Sequence, residues 1–213
     1  MKSKRMAIDT AMILVLPLLM AYSLIGERFH EIAGTLMLVL FLTHHSLNSA
    51  WRRNLSKGRY SLHRICRTTL NAVLLIFMIL QPLCGILISK HIYTFLPTGG
   101  LSSLAREIHL PLAHWGFVLM CLHTGVHLRP FIKRLPLWGK AVGAVIAAYG
   151  VYAFVKRQFP AYMFLKTGFA FFDYSEPALL FILDVLAMMV LFAALGWWVD
   201  RGLTSRAERR KAE

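Results

Sequence analysis

The feature that most constrains the fold of this chain is a series of apolar segments close to the length that crosses a lipid bilayer. The chain has 213 residues, 57% of them hydrophobic, and the segments are 10–26, 30–50, 68–89, 109–128, 141–155 and 177–199. About 20 helical residues span a hydrocarbon core of about 30 Å, and a helix satisfies its own backbone hydrogen bonds in lipid. The sequence therefore predicts an all-α integral membrane protein with six transmembrane helices, forming a single domain over residues 1–213.

The distribution of lysine and arginine predicts the orientation of these helices. If both termini lie on one side of the membrane, eighteen of the 24 lysines and arginines lie on that side. Because cytoplasmic loops carry an excess of Lys and Arg, we expect both termini in the cytoplasm. Topology and contact with anionic lipid headgroups account for the net charge of +14, so membrane lipid is an expected partner and nucleic acid is not.

Two of the segments carry histidines fourteen residues apart, His30 and His44 in the second segment and His109 and His123 in the fourth. Fourteen helical residues rise about 21 Å and end about 40° short of whole turns, so each pair shares one helix face with a histidine near each membrane surface. Antiparallel packing would bring His30 to His109 and His44 to His123. This arrangement suits two haems, each between two histidines, with one haem near each membrane surface.

Histidine is concentrated in these two segments. Seven of the nine histidines lie there: His30, His44, His45, His109, His114, His123 and His127. Ionisable residues inside a membrane are costly and mark functional sites by default, and imidazole is a common ligand of haem iron. The three cysteines form no CxxCH motif for covalent attachment, so the predicted cofactors are two non-covalent b-type haems. We predict a structural role for His114, and we interpret His63, in a loop, as a solvated residue without a role.

The choice of ligands within each helix rests on helical geometry. His44 shares the face of His30, whereas His45 is rotated by about 100°. His123 and His127 are one turn apart and either would reach the same haem, but His123 repeats the fourteen-residue separation from His109. The predicted iron ligands are therefore His30, His44, His109 and His123. His127 is a further cofactor-binding candidate, as a partner of a haem propionate or a quinone, or else a plain interfacial residue.

Two glycines accompany the histidines. Gly34 lies one turn after His30, and Gly116 lies midway between His109 and His123. Glycine allows a flat macrocycle to approach the backbone, but glycines also serve close helix packing in membranes, and the sequence leaves both interpretations open. Several arginines are candidates to neutralise haem propionates: Arg106 for the haem at His30 and His109, and Arg52, Arg53, Arg67 or Arg129 for the other. Each of them taken alone is better explained as a determinant of topology.

Three stretches resemble a known family. HEIAGTLMLVLFLTHHSLNSAW, REIHLPLAHWGFVLMCLHTGVH and AYGVYAFVKRQFPAYMFLKTGFAFFDYSEP resemble the two histidine helices and the aromatic stretch of small bacterial membrane cytochromes described as flavinylation-associated. The histidine helices are also similar to the di-haem cytochrome b subunits of the formate dehydrogenase type. The resemblance implies a four-helix, di-haem cytochrome b-like core in a bacterial cytoplasmic (inner) membrane. The resemblance implies electron transfer between the membrane quinone pool and an extracytoplasmic redox partner, which in that family often carries covalently attached FMN. We expect an electron-transfer subunit of a quinol-linked oxidoreductase, with quinone as substrate and no flavin on this chain.

Two other regions carry weaker predictions. Aromatic and basic residues alternate in 156–176, a composition that favours the membrane–water interface and predicts an extracytoplasmic interfacial segment. Asp184, in the sixth segment, is either a proton carrier for quinol chemistry or a polar bond between helices.

Two alternative functions remain at the level of sequence. One is a haem-containing membrane reductase that acts directly on a small acceptor. The other is a histidine-based metal transporter or sensor, which is weaker because imidazoles about 21 Å apart on one helix do not share one ion.

Overall fold

The computed structural model describes residues 2–58, 60–97, 99–167, 173 and 175–212, with Lys2 and residues 206–212 described as backbone, and within this part of the chain every regular element is a helix. The helices are α1 (Lys2–Met20), α2 (Tyr22–Leu47), α3 (Ser49–Arg53), α4 (Leu62–Leu87), α5 (Leu101–His127), α6 (Arg129–Arg134), α7 (Leu137–Lys156), α8 (Phe159–Met163) and α9 (Ala178–Ala212). The all-α prediction is confirmed for these residues.

Three helices are long and apolar enough to cross a membrane, among the residues that the structure describes. They are α4, α7 and the part of α9 from Ala178 to Ser205. The two histidine-bearing helices, α2 and α5, are 26 and 27 residues long, but their histidines lower the mean hydropathy. The structure therefore supports a membrane protein, while the count of six spans stays a prediction.

The helix boundaries differ from the predicted segments at several places, and two of these differences bear on the histidine helices. The first segment was predicted to continue to Gly26, but α1 ends at Met20 and the chain turns before α2. Gly26 interrupts α2 with a φ of 78°, in the left-handed region that glycine adopts without a steric penalty. In addition, α5 begins at Leu101, eight residues before the predicted start at His109.

The long helices pack in sequence-adjacent pairs and against α9. α1 lies against α2, α4 against α5, and α9 against both α5 and α7. Glycines permit the closest of these approaches: a Cβ atom at Gly125 of α5 would lie 2.0 Å from the carbonyl oxygen of Ala193, and one at Gly196 of α9 would lie 2.2 Å from that of Leu122. α2 packs chiefly against α1 and α4 rather than against α5, which leaves space between the two histidine helices.

The surface of the helix bundle is unusually apolar. Large hydrophobic side chains point outward on most long helices, among them Leu137 at 84% exposure, Val145 at 70% and Leu179 at 67%. Soluble proteins rarely expose continuous apolar surface of this kind, whereas lipid chains cover it without cost. The predicted interfacial segment 156–176 contains the short helix α8, which starts next to Pro160; residues 168–172 and 174 of that segment lie outside the described residues.

Candidate cofactor-binding site

The side chains of His30 on α2 and His109 on α5 meet across the space between their helices. Their ring centroids are 6.3 Å apart and the ring planes are inclined by 76°. The Nδ1 atoms of both rings are buried and have no hydrogen-bond partner, which is uncommon for buried polar atoms. We refer to these two residues as the first histidine pair.

A cavity of about 260 Å³ lies at the first histidine pair. Its walls are mostly apolar and come from α1, α2, α4 and α5, with Met37, Phe77 and Met120 among the lining residues. Ligand pockets in proteins are typically apolar with a few convergent polar groups. The two unpartnered imidazoles are the polar groups that converge here.

Gly34 and Gly116 line this cavity from opposite sides. A Cβ atom at either position would meet no atom within 4 Å. They differ in this respect from Gly125 and Gly196, where a Cβ atom would collide with a neighbouring backbone. Helix packing therefore explains the latter two glycines but not Gly34 and Gly116, whose missing side chains instead enlarge the cavity.

The amide of Gln81 on α4 also reaches the first histidine pair. Its Nε2 atom lies 3.2 Å from Nε2 of His109, while its Oε1 atom is buried without a partner. The amide N–H therefore donates to the lone pair of His109 that a metal ion would use. A metal bound by His109 through Nε2 requires this amide to turn away, and the cavity gives it room to do so.

A carboxylate holds the chain segment at the mouth of the cavity. Glu31, next to His30, accepts hydrogen bonds from the Ser89 hydroxyl at 2.7 Å and from the backbone N–H groups of Lys90, His91 and Ile92 at 2.8, 3.1 and 3.0 Å. Segment 89–92 is thereby fixed against α2.

Lys90, rather than Arg106, is the basic residue that lines this cavity. Its ammonium group bonds to Glu27 at 2.6 Å. Hydrogen bonds from Lys90 and Tyr22 hold the pKa of the Glu27 carboxyl below its ordinary value.

The role of Glu31 was not predicted, because its hydrogen-bond partners are about sixty residues away in sequence. The only available signal was that a glutamate directly follows His30.

The second histidine pair, His44 on α2 and His123 on α5, is surrounded by polar groups. Nδ1 of His44 lies 2.7 Å from the carboxylate of Asp9 on α1, and Nδ1 of His123 lies 2.9 Å from the amide oxygen of Asn71 on α4. Since both acceptors are oxygens, each ring donates its Nδ1–H and keeps the lone pair on Nε2. This is the tautomer in which histidine commonly binds a metal, with an oxygen atom holding the other nitrogen.

The pairing of His44 with His123 stays a prediction from the fourteen-residue spacing. His127 lies beside His123, with ring centroids 4.7 Å apart. This position is compatible both with a role of His127 in binding a cofactor and with a role as a neighbour of His123. His45 instead packs against Phe41, at 4.8 Å between centroids, and against Trp51 at 6.5 Å.

Two other histidines have structural contacts. His114 is buried, its Nδ1 lies 2.8 Å from the carbonyl oxygen of Leu110, and its ring packs on Phe159 and Tyr162, as expected of a structural residue. The interpretation of His63 as merely solvated is wrong, because its Nε2 lies 2.8 Å from the buried carboxylate of Asp200. The two partners are 137 residues apart, so the sequence offered no spacing signal.

Asp184 is a polar bond between helices, one of the two predicted alternatives. The carboxylate is fully buried and pairs with Arg157 at 2.7 Å and Lys156 at 3.0 Å, and Tyr149 donates to it at 2.5 Å. Glu176 joins the cluster through the same two cations, which hold the pKa of its carboxyl below the ordinary value. The cluster connects the end of α7 to α9.

The residues at the first histidine pair fit a haem. Two imidazoles with orphaned, buried nitrogens face each other, and two glycines provide a cradle that side chains would fill. A site for a single small ion is less well supported, since no three His, Cys, Asp or Glu side chains converge on a common point within the described ranges.

Comparison with known proteins adds no assignment. No family model matches the chain, and no characterised protein or solved structure is significantly similar to it. The resemblance to flavinylation-associated cytochromes therefore stays a prediction.

Proposed function

We propose that this chain is a membrane cytochrome of the b type, which holds two haems between α2 and α5 and moves electrons across the membrane. Six helices cross the bilayer in this proposal: α1, α2, α4, α5, α7 and α9, with both termini in the cytoplasm. The first histidine pair then lies near the extracytoplasmic surface and the second near the cytoplasm. Electrons pass between the quinone pool and an extracytoplasmic redox protein.

The observation that carries this proposal is the separation of the first histidine pair across a glycine-lined cavity. Two imidazoles on opposite sides of one metal ion have centroids roughly 6 Å apart, since each metal–nitrogen bond is about 2 Å long and the ring radii add to it. The His30 and His109 centroids are 6.3 Å apart. Gly34 and Gly116 leave the space beside the rings free of side chains, which suits a flat macrocycle.

The hydrogen bonds at the second histidine pair support the same function. Asp9 and Asn71 hold His44 and His123 with Nε2 as the free nitrogen, and such oxygen partners typically orient metal-bound histidines. Arg67 lies close enough to His123 and His127 to interact with them electrostatically. A cation at this point suits the carboxylates of a haem.

The chain's residues perform three tasks in this function. The four histidines fix the positions of the redox centres, the apolar walls exclude water, and the oxygen partners orient the imidazoles. A bound haem supplies a one-electron redox couple whose potential depends on ligand, hydrogen bonding and burial. His30 and His44 are separated along α2 by a rise of about 21 Å, so a pair of such centres connects the two membrane surfaces.

Vesicles loaded with ferricyanide and exposed to external dithionite test this function. Neither reagent crosses lipid readily, so reduction of the trapped ferricyanide requires an electron path through the protein. We expect the wild-type protein to accelerate the reduction, and His44→Ala and His109→Ala to return it to the rate of protein-free vesicles.

His91→Ala is the matched control for this experiment. His91 is exposed, and its Nε2 atom lies 3.6 Å from the carboxylate of Glu27, which lines the first cavity. This variant should conduct at the wild-type rate. Wild-type protein with two haems that fails to accelerate ferricyanide reduction, or a His44→Ala variant that conducts like the wild type, would contradict transmembrane electron transfer.

A further inference from the structure

The two histidine pairs differ in what holds the second nitrogen of each ring. At the first pair, Nδ1 of His30 and Nδ1 of His109 have no partner. At the second pair, His44 donates to a carboxylate at 2.7 Å and His123 donates to a neutral amide at 2.9 Å. A carboxylate partner raises the basicity of a metal-bound imidazole more than an amide does, because a charged acceptor makes the stronger hydrogen bond.

We propose that Asp9 is a positioning residue that makes the second histidine pair the low-potential site, so that electrons run from the second pair to the first. The inference rests on the proposed function. A more basic ligand stabilises the oxidised state of iron, and a negative charge near the metal acts in the same direction. Both effects lower the reduction potential at the second pair, and electrons flow from lower to higher potential.

Other charges near the two pairs do not remove this difference. Arg67 lies near His123 and favours the reduced state, but it makes a salt bridge to Asp200 at 3.3 Å. Glu27 and Glu31 line the first cavity, but Glu27 is paired with the Lys90 ammonium at 2.6 Å and Glu31 accepts four hydrogen bonds from segment 89–92. Among the described hydrogen bonds, neither carboxylate contacts a ring of the first histidine pair. Asp9 combines a negative charge with a direct hydrogen bond to the ring of His44, although its side chain is 48% exposed.

The direction of electron flow assigns one redox partner to each histidine pair. In each step the second site loses one electron and the first site gains it. A quinol at the second pair supplies the electrons, losing two electrons and two protons for every two steps, and a redox protein at the first pair accepts them. With the proposed topology, electrons leave on the extracytoplasmic side.

Redox titration of the holoprotein tests the role of Asp9. Asp9→Asn keeps an oxygen that accepts from His44 but removes the charge, so the lower of the two midpoint potentials should rise and the separation between them should narrow. Asp9→Glu should restore the separation. Repeating the titration of Asp9→Asn in the His109→Ala background, which retains the second site alone, assigns the shift to that site.

Glu107→Gln is the matched control, since Glu107 is an exposed carboxylate two residues before His109. It should leave both potentials unchanged. If Asp9→Asn binds two haems and leaves the separation of potentials unchanged, Asp9 only braces α1 against α2 and the inference fails. If the wild-type protein binds no haem, the proposed function itself fails, and the two failures are distinguishable.

Discussion

The first and second histidine pairs repeat the same residue type at the same spacing but are built by different means. Around His30 and His109 the chain provides space, an apolar cavity of about 260 Å³ with glycines in its walls. Around His44 and His123 it provides hydrogen-bond acceptors, the carboxylate of Asp9 and the amide oxygen of Asn71. The first pair therefore depends on volume and the second on polar partners.

Two sites with the same residue type at the same spacing can therefore lose their cofactor through opposite kinds of substitution. Filling space should damage the first site and spare the second, whereas removing an oxygen acceptor should do the reverse. Both sites lie between the same two helices, so variants that separate them report on local geometry rather than on the fold.

The largest effect should come from the ligands themselves. Replacing His109 with alanine removes one of the two histidines that would hold a haem at the first pair, and we expect haem content to fall from two per chain to one, with the second site retained. Haem and protein assays on the purified variant measure this. His91→Ala should retain both haems; a His109→Ala variant that does so would show that His109 is not a ligand.

Filling the cavity should remove the first haem almost as completely. A Cβ atom at Gly34 would meet no atom within 4 Å, so we expect the side chain of Gly34→Leu to occupy the cavity and the protein to fold and bind one haem. Gly143→Leu is the control, because Gly143 on α7 also has no atom within 4 Å of its Cβ position but lies away from the cavity.

A glycine in a close contact between two helices should behave differently from Gly34. Gly125→Ala places a Cβ atom 2.0 Å from a backbone oxygen of α9, so we expect a lower melting temperature and parallel loss of both haems. Loss of one haem from Gly125→Ala, or of none from Gly34→Leu, would remove the distinction between the two classes of glycine.

An intermediate effect is expected at the second pair. Asn71→Leu deletes the oxygen that orients His123, and loss of such a partner typically costs about 10–100-fold in metal affinity. Competition with apomyoglobin should show faster haem loss from the second site and an unchanged rate at the first. Equal acceleration at both sites would indicate a general loosening of α4.

The smallest effect should come from the mouth of the first cavity. Glu31→Gln replaces one of the two oxygens that fix segment 89–92, and a lost hydrogen bond of about 1 kcal/mol corresponds to roughly a fivefold change. Haem should leave the first site faster by about that factor, while the second site is unaffected. The same apomyoglobin assay measures both rates, and an unchanged first-site rate would show that this segment does not retain the cofactor.

Sequence periodicity predicted the helices and the facing histidines because both depend on local geometry. The fourteen-residue spacing places His30 and His44 on one face whatever the surrounding fold is. The oxygen partners could not be predicted, since Asp9 and Asn71 reach the second pair from α1 and α4, helices whose rotation is set by packing. Likewise, the two interpretations of Gly34 and Gly116 were separated only by the absence of neighbouring atoms in the folded protein.

The kink at Gly26 and the contact between His63 and Asp200 were missed for related reasons. A glycine at the end of an apolar segment does not specify where the chain turns. His63 was predicted to lie in a loop, where a histidine is ordinarily solvated, but it lies in the first turn of α4, and the buried carboxylate that bonds to it belongs to the last helix.

Purification in mild detergent after haem-sufficient expression, followed by a dithionite-reduced minus oxidised spectrum and a count of haem per polypeptide, tests the two-site cytochrome most directly. We expect a b-type difference spectrum with two haems per chain. One haem per chain would contradict the assignment of two equivalent pairs, and a protein without a haem spectrum would contradict the proposed function.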